Sequence, residues 1–179
     1  MPTRGYGTFR LFLISSVTSK VLDDIGCPVL TGAHMSEKDA AEKQNILNVV
    51  CAIDLGPSSS DAPTWAVQFA SDFQNTLSIV HATPHLDPSL KIALSSDEED
   101  RMETSTREEI ERLQTAVGAK NIAVCIEKGE VTHVVCSYAR SVGAAFWLSA
   151  AEVKMIEPAG CARNAYDIIR QSACPVLSV

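Results

Sequence analysis

The stretch Asn45–Ser60, NILNVVCAIDLGPSSS, decides the fold of this 179-residue chain. The run Asn45–Ile53 is almost continuously apolar, which is typical of a strand covered on both faces in a parallel sheet. Gly56 and Pro57 then break the strand pattern, and the serines that follow are candidate N-caps. The stretch therefore predicts a buried strand, a short loop and the beginning of a helix.

Asp54 stands where this predicted strand ends. In an open parallel α/β sheet, ligands bind outside the carboxyl ends of the strands, so a ligand contact is expected at this position. An aspartate that only caps a helix or closes a turn would show the same pattern. The residue by itself leaves both interpretations open.

Four further strands alternate with helices along the rest of the chain. The predicted strands are Leu77–Ala82, Ile122–Ile126, Ala144–Leu148 and Cys174–Val179. The helices between them are predicted at Asp61–Phe73, Ser95–Val117, Val131 to about Val142, and Gly160–Gln171. Short connections and right-handed crossovers turn this order into an α/β fold, a five-stranded parallel open sheet with helices on both faces.

The N-terminal residues Met1–Thr31 predict one helix and one short strand, and they repeat a pattern found at the other end of the chain. Ser16–Leu30, SVTSKVLDDIGCPVL, aligns without a gap to Arg163–Leu177, RNAYDIIRQSACPVL. We therefore interpret residues 1–31 as the last helix and strand of a preceding copy of the domain. Residues 32–44 are then a linker, and residues 45–179 form the complete domain.

Composition and charge exclude several classes of partner. The net charge is −7 with a sequence pI of about 5.0, so no basic patch is expected for a nucleic-acid backbone. No apolar run is long enough to span a bilayer, and the first residues do not form a signal peptide. A cytoplasmic location is therefore expected, with no nucleic-acid or membrane partner.

The sequence shows no arrangement of catalytic or metal-binding residues. The six cysteines have no CxxC spacing and are predicted to be small buried hydrophobes, and no metal site is expected. His81 and His133 are interpreted as structural or surface residues, and Asp97–Asp100 as a solvated helix start. A nucleophile elbow and a Walker loop are both missing, so no enzymatic activity is expected.

Three motifs together resemble those of a known family. VVCAIDLGPSS at residues 49–59 resembles a first strand with its aspartate, and Lys128-Gly129-Glu130-Val131 resembles the turn before a third helix. Met1–Leu30 resembles a C-terminal glycine signature. The chain thus resembles the universal stress proteins, whose fold is that of the adenine-nucleotide alpha hydrolases, a Rossmann-like three-layer sandwich. The resemblance implies that Asp54 holds the adenine or ribose edge, and that Ile53 and Ala82 contact the base.

The phosphate-binding half of the family pattern is divided between the two ends of the chain. In the N-terminal piece, Ser15 and Ser16 replace a Gly-Ser pair, and by resemblance the segment Gly5–Thr18 could serve as a replacement phosphate loop. Its candidate residues are Gly5, Gly7, Ser15, Ser16 and Thr18. In the complete domain, the same alignment puts Ser149, Glu152, Ala162 and Arg163 where the family has its loop glycines and serine.

Two functions follow from the resemblance. The first is a non-enzymatic stress-response protein with weak or no ATP binding, acting through self-association or protein partners at its final strand. Cys27–Leu30 and Cys174–Val179 are expected to pair inside one chain, although dimers could also form by exchange of the N-terminal segment. The alternative is a module that binds ATP or AMP through Asp54, with or without the Gly5–Thr18 loop.

Overall fold

The computed structural model describes residues 27–31, 48–56, 60–83, 96–149 and 167–179 of the chain. The strands in these ranges are β1 (Val29–Thr31), β2 (Asn48–Ile53), β3 (Thr76–Thr83), β4 (Ala123–Lys128), β5 (Phe146–Ser149) and β6 (Val176–Ser178). The helices are α1 (Asp61–Asp72), α2 (Ser96–Ala116) and α3 (Val131–Ser141). Residues 167–171, which precede β6, are also helical.

All six strands belong to one sheet, in the order β1-β6-β5-β2-β3-β4. The five strands from β2 to β6 run parallel to one another, which confirms the predicted parallel α/β sheet. The chain proceeds outward from β2 through β3 to β4 and then returns across β2 to β5. The strand order therefore reverses between β2 and β5, and a crevice for ligands is expected at the carboxyl ends of strands at such a point.

Helices cover both faces of the sheet because neighbouring strand residues point to opposite sides. Val49 and Cys51 of β2 are fully buried in a core with α1 and Ile110 of α2. Val50, between them, is fully buried in a second core with α3 and Ile168. Both cores are mainly aliphatic, and the three predicted layers are confirmed.

β1 adds an antiparallel strand to the edge of the parallel sheet. Its register pairs Val29 with Ser178 and Thr31 with Val176, so the expected pairing with the final strand inside one chain is confirmed. The Thr31 side chain is buried, and its hydroxyl donates a hydrogen bond of 3.2 Å to the Val176 carbonyl. The predicted N-terminal helix and the linker at 32–44 lie outside the described residues.

Most element boundaries differ from the predicted ones by one to three residues. The final strand begins at Val176 rather than Cys174, since Pro175 has no N–H to donate to a ladder. β3 extends one residue further at each end than predicted, from Thr76 to Thr83. Of the predicted helix at 160–171, only residues 167–171 are described, and they are helical.

Candidate functional site

The candidate site lies where β3 extends beyond the end of β2. The last pair of this ladder joins Ile53 to His81, whereas Ala82 and Thr83 continue only with β4. The Thr83 carbonyl faces β4, where it accepts the Gly129 N–H at 2.9 Å. Because successive residues of a strand present their backbone groups to opposite neighbours, the groups of Ala82 face β2. The Ala82 N–H belongs to the last pair of the ladder, that of Ile53 with His81, and the Ala82 carbonyl faces the space beyond the end of β2. This carbonyl can accept a hydrogen bond there.

Asp54 directly follows β2 and is exposed. Its Oδ1 accepts a hydrogen bond of 3.0 Å from the Gly56 N–H, and Leu55 between them has a φ of +60°. A Cβ atom on Gly56 would lie 3.3 Å from Oδ1, so this close turn favours glycine. Asp54 therefore lies at the predicted strand end and also performs the turn role that the sequence left open. The left-handed Leu55 is a strained conformation of the kind often found at functional sites.

His81 fixes the end of β2 from the side. Its Nδ1 lies 2.9 Å from the Ile53 carbonyl oxygen, and it must carry the hydrogen because a carbonyl can only accept. The residue is 8% exposed, so the bond is shielded from water. The sequence interpretation of His81 as a structural histidine is confirmed. Its partner could not be predicted because the partner is a backbone atom on another strand.

Glu127 lies beside the candidate base position and was not recognised from the sequence. It pairs with Ala82 in the β3–β4 register, and its side chain is exposed. Burial raises the pKa of the Cys125 thiol, and the negative charge of Glu127 raises it further. Adjacent strands are about 4.8 Å apart, so Glu127 is one strand spacing away from Ala82. Glu127 directly follows the predicted strand Ile122–Ile126, and this position at a strand end was the only available sequence signal.

The N-terminus of α3 already holds an anion supplied by the chain itself. The Glu130 carboxylate accepts the Thr132 N–H at 3.0 Å and the His133 N–H at 2.8 Å. Partial burial by itself would raise the pKa of Glu130, but these hydrogen bonds and the nearby His133 outweigh it and lower the pKa. The backbone donors that could otherwise receive a phosphate are therefore bound by a side chain.

Lys128, the last residue of β4, also forms ion pairs. Its Nζ lies 3.7 Å from Glu99 and 3.9 Å from Glu103, both on α2. These ion pairs are largely exposed and are weak individually. They place two carboxylates beside the lysine, which reduces its attraction for a phosphate.

The structure brings together three of the predicted site residues, namely Ile53, Asp54 and Ala82. Ile53 is 6% exposed and packs in the core with α1, whereas Ala82 is half-buried and packs against the core with α3, on the opposite face of the sheet. The other candidates lie outside the described residues: Gly5, Gly7, Ser15, Ser16 and Thr18. Glu152, Ala162 and Arg163 also lie outside them.

The five described cysteines give no sign of reactive chemistry. Burial raises the pKa of the Cys51 thiol to about 12, and it also raises the pKa of Cys136. Cys27 is exposed, so for this residue the prediction of a buried hydrophobe is wrong, and Cys161 lies outside the described residues. Within the described ranges, no cluster of three or more potential ligands could hold a metal ion. No helix in those ranges combines the length and apolarity that crossing a bilayer requires.

A family model decides the relationship that the motifs indicated. The model of the universal stress protein family matches residues 45–146, more than half of the chain. The chain belongs to the universal stress protein family. No curated protein sequence matches it closely.

Solved structures share the fold of this chain. A protein of unknown function from Pseudomonas aeruginosa PAO1 has a TM-score of 0.70 at 16% identity, and the match covers 100% of this chain and 61% of that one. A universal stress protein from Archaeoglobus fulgidus has a TM-score of 0.63 at 19% identity, with coverage of 99% and 58%. The chain thus spans about three fifths of each of these proteins.

One shorter relative contains a ligand. A universal stress protein solved in complex with cAMP has a TM-score of 0.52 at 23% identity, and the match covers 74% of this chain and 95% of that one. At this identity the likeness concerns the fold. The ligand belongs to that protein.

Proposed function

We propose that this chain is a non-enzymatic regulatory universal stress protein with a degenerate adenine-nucleotide site, and that it acts in the cytoplasm through protein association. The observation that carries the proposal is the ladder between β1 and β6. The final strand of the domain accepts a strand from far away in the sequence, which supports a role for that strand as a pairing edge.

The lack of enzymatic activity is supported by the groups at the candidate site. His81 has its Nδ1 bound to a backbone carbonyl, and among the described residues no nucleophile is hydrogen-bonded to it. The Asp54 carboxylate is bound to the turn that follows it. A general base needs a reacting group within hydrogen-bond reach, and this arrangement offers none within the described ranges.

The N-terminal 31 residues are proposed to be the helix–strand remnant of a preceding domain, followed by a linker at 32–44. Two observations support this origin. β1 is docked on β6 as a partner domain's final strand would be, and the larger relatives extend well beyond the region that this chain matches. The proposal implies that β1 occupies the edge at which two domains would otherwise meet.

The association proposal can be tested by releasing β1. Thr31→Asp places a charge at a buried position and should undock the strand, thereby exposing the edge of β6. We expect concentration-dependent dimers in sedimentation velocity for this variant. Leu30→Asp is the matched control, because the neighbouring Leu30 is 52% exposed. A variant that has released β1 and stays monomeric at high concentration would contradict the proposal.

The second candidate function is adenine-nucleotide binding through Asp54. It is favoured by the strand-end geometry, in which the backbone of Ala82 faces the space beside Asp54, and by the cAMP complex of a relative. In one form of this proposal the domain alone binds ATP or AMP, and in the other the Gly5–Thr18 segment supplies the phosphate loop. In both forms, the adenine base is bound by the same residues, Ile53, Asp54 and Ala82.

Calorimetric titration of ATP into the intact chain tests this candidate. Asp54→Ala should abolish binding, whereas Asp54→Asn keeps an oxygen that can accept the Gly56 N–H and reports on the charge alone. Binding that is lost only with Asp54→Ala would assign Asp54 a structural role in the turn. Equal binding by all three proteins would remove Asp54 from the site.

A further inference from the structure

We propose that α1 carries a docking surface for an arginine-bearing segment of a protein partner. The surface consists of an aromatic row, defined as Trp65, Phe69 and Phe73, and of the carboxylate of Asp72. It includes neither β1 nor β6, so the inference goes beyond the association proposed for that edge of the sheet. Aromatic faces and a negative charge both attract a cation.

The aromatic row lies beside the core rather than in its centre. The residues that pack α1 onto the sheet are small and spaced four apart, namely Ala62, Ala66 and Ala70, each at most 8% exposed. The aromatic row has the same spacing, so it forms a neighbouring stripe along the helix. Trp65 and Phe69 are half-buried at the margin of the core with α1, whereas Phe73 is 65% exposed. The row therefore ends in a ring that a partner can contact.

The three rings form a continuous stack. The centroids of Trp65 and Phe69 are 5.4 Å apart, and those of Phe69 and Phe73 are 4.7 Å apart. The first and last rings are eight residues apart in the helix, which corresponds to about 12 Å along its axis. Alternate residues of an extended chain are about 7 Å apart, so a segment docked along the row can place two cations on it.

The end of α1 holds Phe73 in place. The next residue, Gln74, has a φ of +54°, and the Asn75 N–H donates to the Ala70 carbonyl at 2.9 Å. Together with the bond of 3.4 Å from the Gln74 N–H to the Ser71 carbonyl, this forms a Schellman motif, which closes a helix with backbone hydrogen bonds. The backbone on both sides of Phe73 is therefore fixed, and less conformational entropy is lost when a partner binds its ring.

The charge of this surface is negative and is not balanced within the helix. Residues 61–72 contain two aspartates and no lysine or arginine. Asp72 lies in the last turn, where the helix dipole already contributes partial negative charge. Its carboxylate accepts a hydrogen bond of 2.9 Å from the Gln68 side-chain amide, a neutral donor that leaves the charge in place. Asp72 is three residues from Phe69 and next to Phe73, so a cation on the rings is within reach of the carboxylate.

An arginine fits this surface better than other occupants do. Its guanidinium is planar, so it stacks on an aromatic face while its N–H groups donate to a carboxylate, whereas a lysine ammonium is a compact, strongly hydrated charge. A purely apolar partner would bury Asp72 without a counter-charge. A second copy of this chain carries the same net charge of −7 and is repelled.

Fluorescence anisotropy of a dye-labelled peptide, Arg-Gly-Arg-Gly-Arg, titrated with the intact chain at low salt tests the proposal. Phe73→Leu keeps an apolar side chain but removes the aromatic face, and it should weaken binding about two- to fivefold. Asp72→Asn can still accept the Gln68 hydrogen bond but lacks the charge, and it should weaken binding by a similar factor. The peptide Lys-Gly-Lys-Gly-Lys should bind more weakly than the arginine peptide.

The matched control is Glu109→Gln, which removes one negative charge from an exposed position on α2 and should have a clearly smaller effect than Asp72→Asn. Equal losses in these two variants would overturn the proposal, because diffuse attraction to an acidic chain would then explain the binding. Unchanged binding by Phe73→Leu, or equal binding of the two peptides, would exclude the aromatic row. No binding at millimolar peptide would contradict the proposal outright.

Sedimentation velocity of the chain without peptide tests the competing occupant. We expect Phe73→Leu to leave the oligomeric state unchanged, because the surface is proposed for a cationic partner and not for a second copy. Dimers that form in the original chain and disappear with Phe73→Leu would make a second copy the occupant, and they would overturn the proposal.

Discussion

The two edges of the sheet are constructed differently. β4 pairs with β3 over six residues, continues through Gly129 into the capped helix α3, and is joined to α2 by the ion pairs of Lys128. β1 pairs with β6 over three residues and runs in the opposite direction. One edge is thus an integral part of the β-α-β succession, and the other is added from a distant part of the sequence.

This difference indicates which edge can change without loss of the fold. The β4 edge is connected at both ends to elements that form the two cores, so losing it would open both of them. Within the described residues, the β1 edge contributes one deeply buried side chain, Thr31, and one side-chain hydrogen bond. We expect the domain to stay folded when β1 is released but to unfold when β4 is released. A sheet edge that exchanges its pairing partner must be able to lose its strand without loss of the fold.

The largest effect is expected from a residue that lies between the two edges. Trp147 of β5 is 1% exposed, and its indole N–H donates to the Ser172 hydroxyl at 2.9 Å. Trp147→Ala should lower the free energy of unfolding by about 3–5 kcal/mol, because it removes a large side chain from a packed core. Urea denaturation followed by circular dichroism measures this loss.

Trp147→Phe is the matched control, since it keeps most of the ring volume and removes only the indole N–H. Ser172 keeps its hydrogen bonds with the backbone of Cys174 in this variant. A loss well below that of Trp147→Ala is therefore expected. Equal losses in the two variants would mean that the hydrogen bond, rather than the packing, stabilises the centre of the sheet.

The β4 edge should be sensitive at the turn that leads into α3. A Cβ atom on Gly129 would lie 2.8 Å from a methyl group of Val134, which is itself 1% exposed. Gly129→Ala should therefore cost about 1–3 kcal/mol by overpacking. In a double-mutant cycle with Val134→Ala, the cost of the glycine substitution should largely disappear. Additive losses would show that the contact is not the cause.

The parallel sheet could be predicted because its signals are local. The apolar run Asn45–Ile53 and the helix–strand alternation after it required no knowledge of tertiary contacts. The pairing of β1 with β6 was also predictable, because the repeated Cys-Pro-Val-Leu pattern marked both segments as equivalent final strands. A repeated pattern can thus predict a contact across almost the whole chain.

The candidate site was predictable only in part. Asp54 and Ala82 were identified because they stand at strand ends and match a family pattern. Glu127 was missed, because its position opposite Ala82 depends on the register of two strands separated by more than forty residues. The hydrogen bond from His81 to the Ile53 carbonyl was missed for the same reason, since backbone partners leave no trace in side-chain patterns.

A substitution at the β1 edge should lower the free energy of unfolding less than a substitution at the β4 edge. Thr31→Asp places a carboxylate at a position that is 1% exposed, and undocking of the strand lets that charge reach water. We expect a loss of about 1–2 kcal/mol, with the rest of the domain folded. Hydrogen exchange should show lost protection only in the β1–β6 ladder, at Val29–Thr31 and at Val176–Ser178. Global unfolding of this variant would mean that β1 is as integral to the fold as β4.

The smallest effect is expected from the cap of α3, and it should depend on pH. Hydrogen bonds to the ionised Glu130 lower its pKa in the folded state, so its stabilisation is fully present above the unfolded-state pKa and is lost as the pH falls through the folded-state pKa. Glu130→Gln should cost about 0.5–1 kcal/mol at neutral pH. That difference should decrease as the pH falls below about 4.3, the ordinary value for glutamate. Thermal denaturation of both proteins from neutral to acid pH measures this difference in stability. A difference that does not change with pH would show that the charge of Glu130 is not its cause.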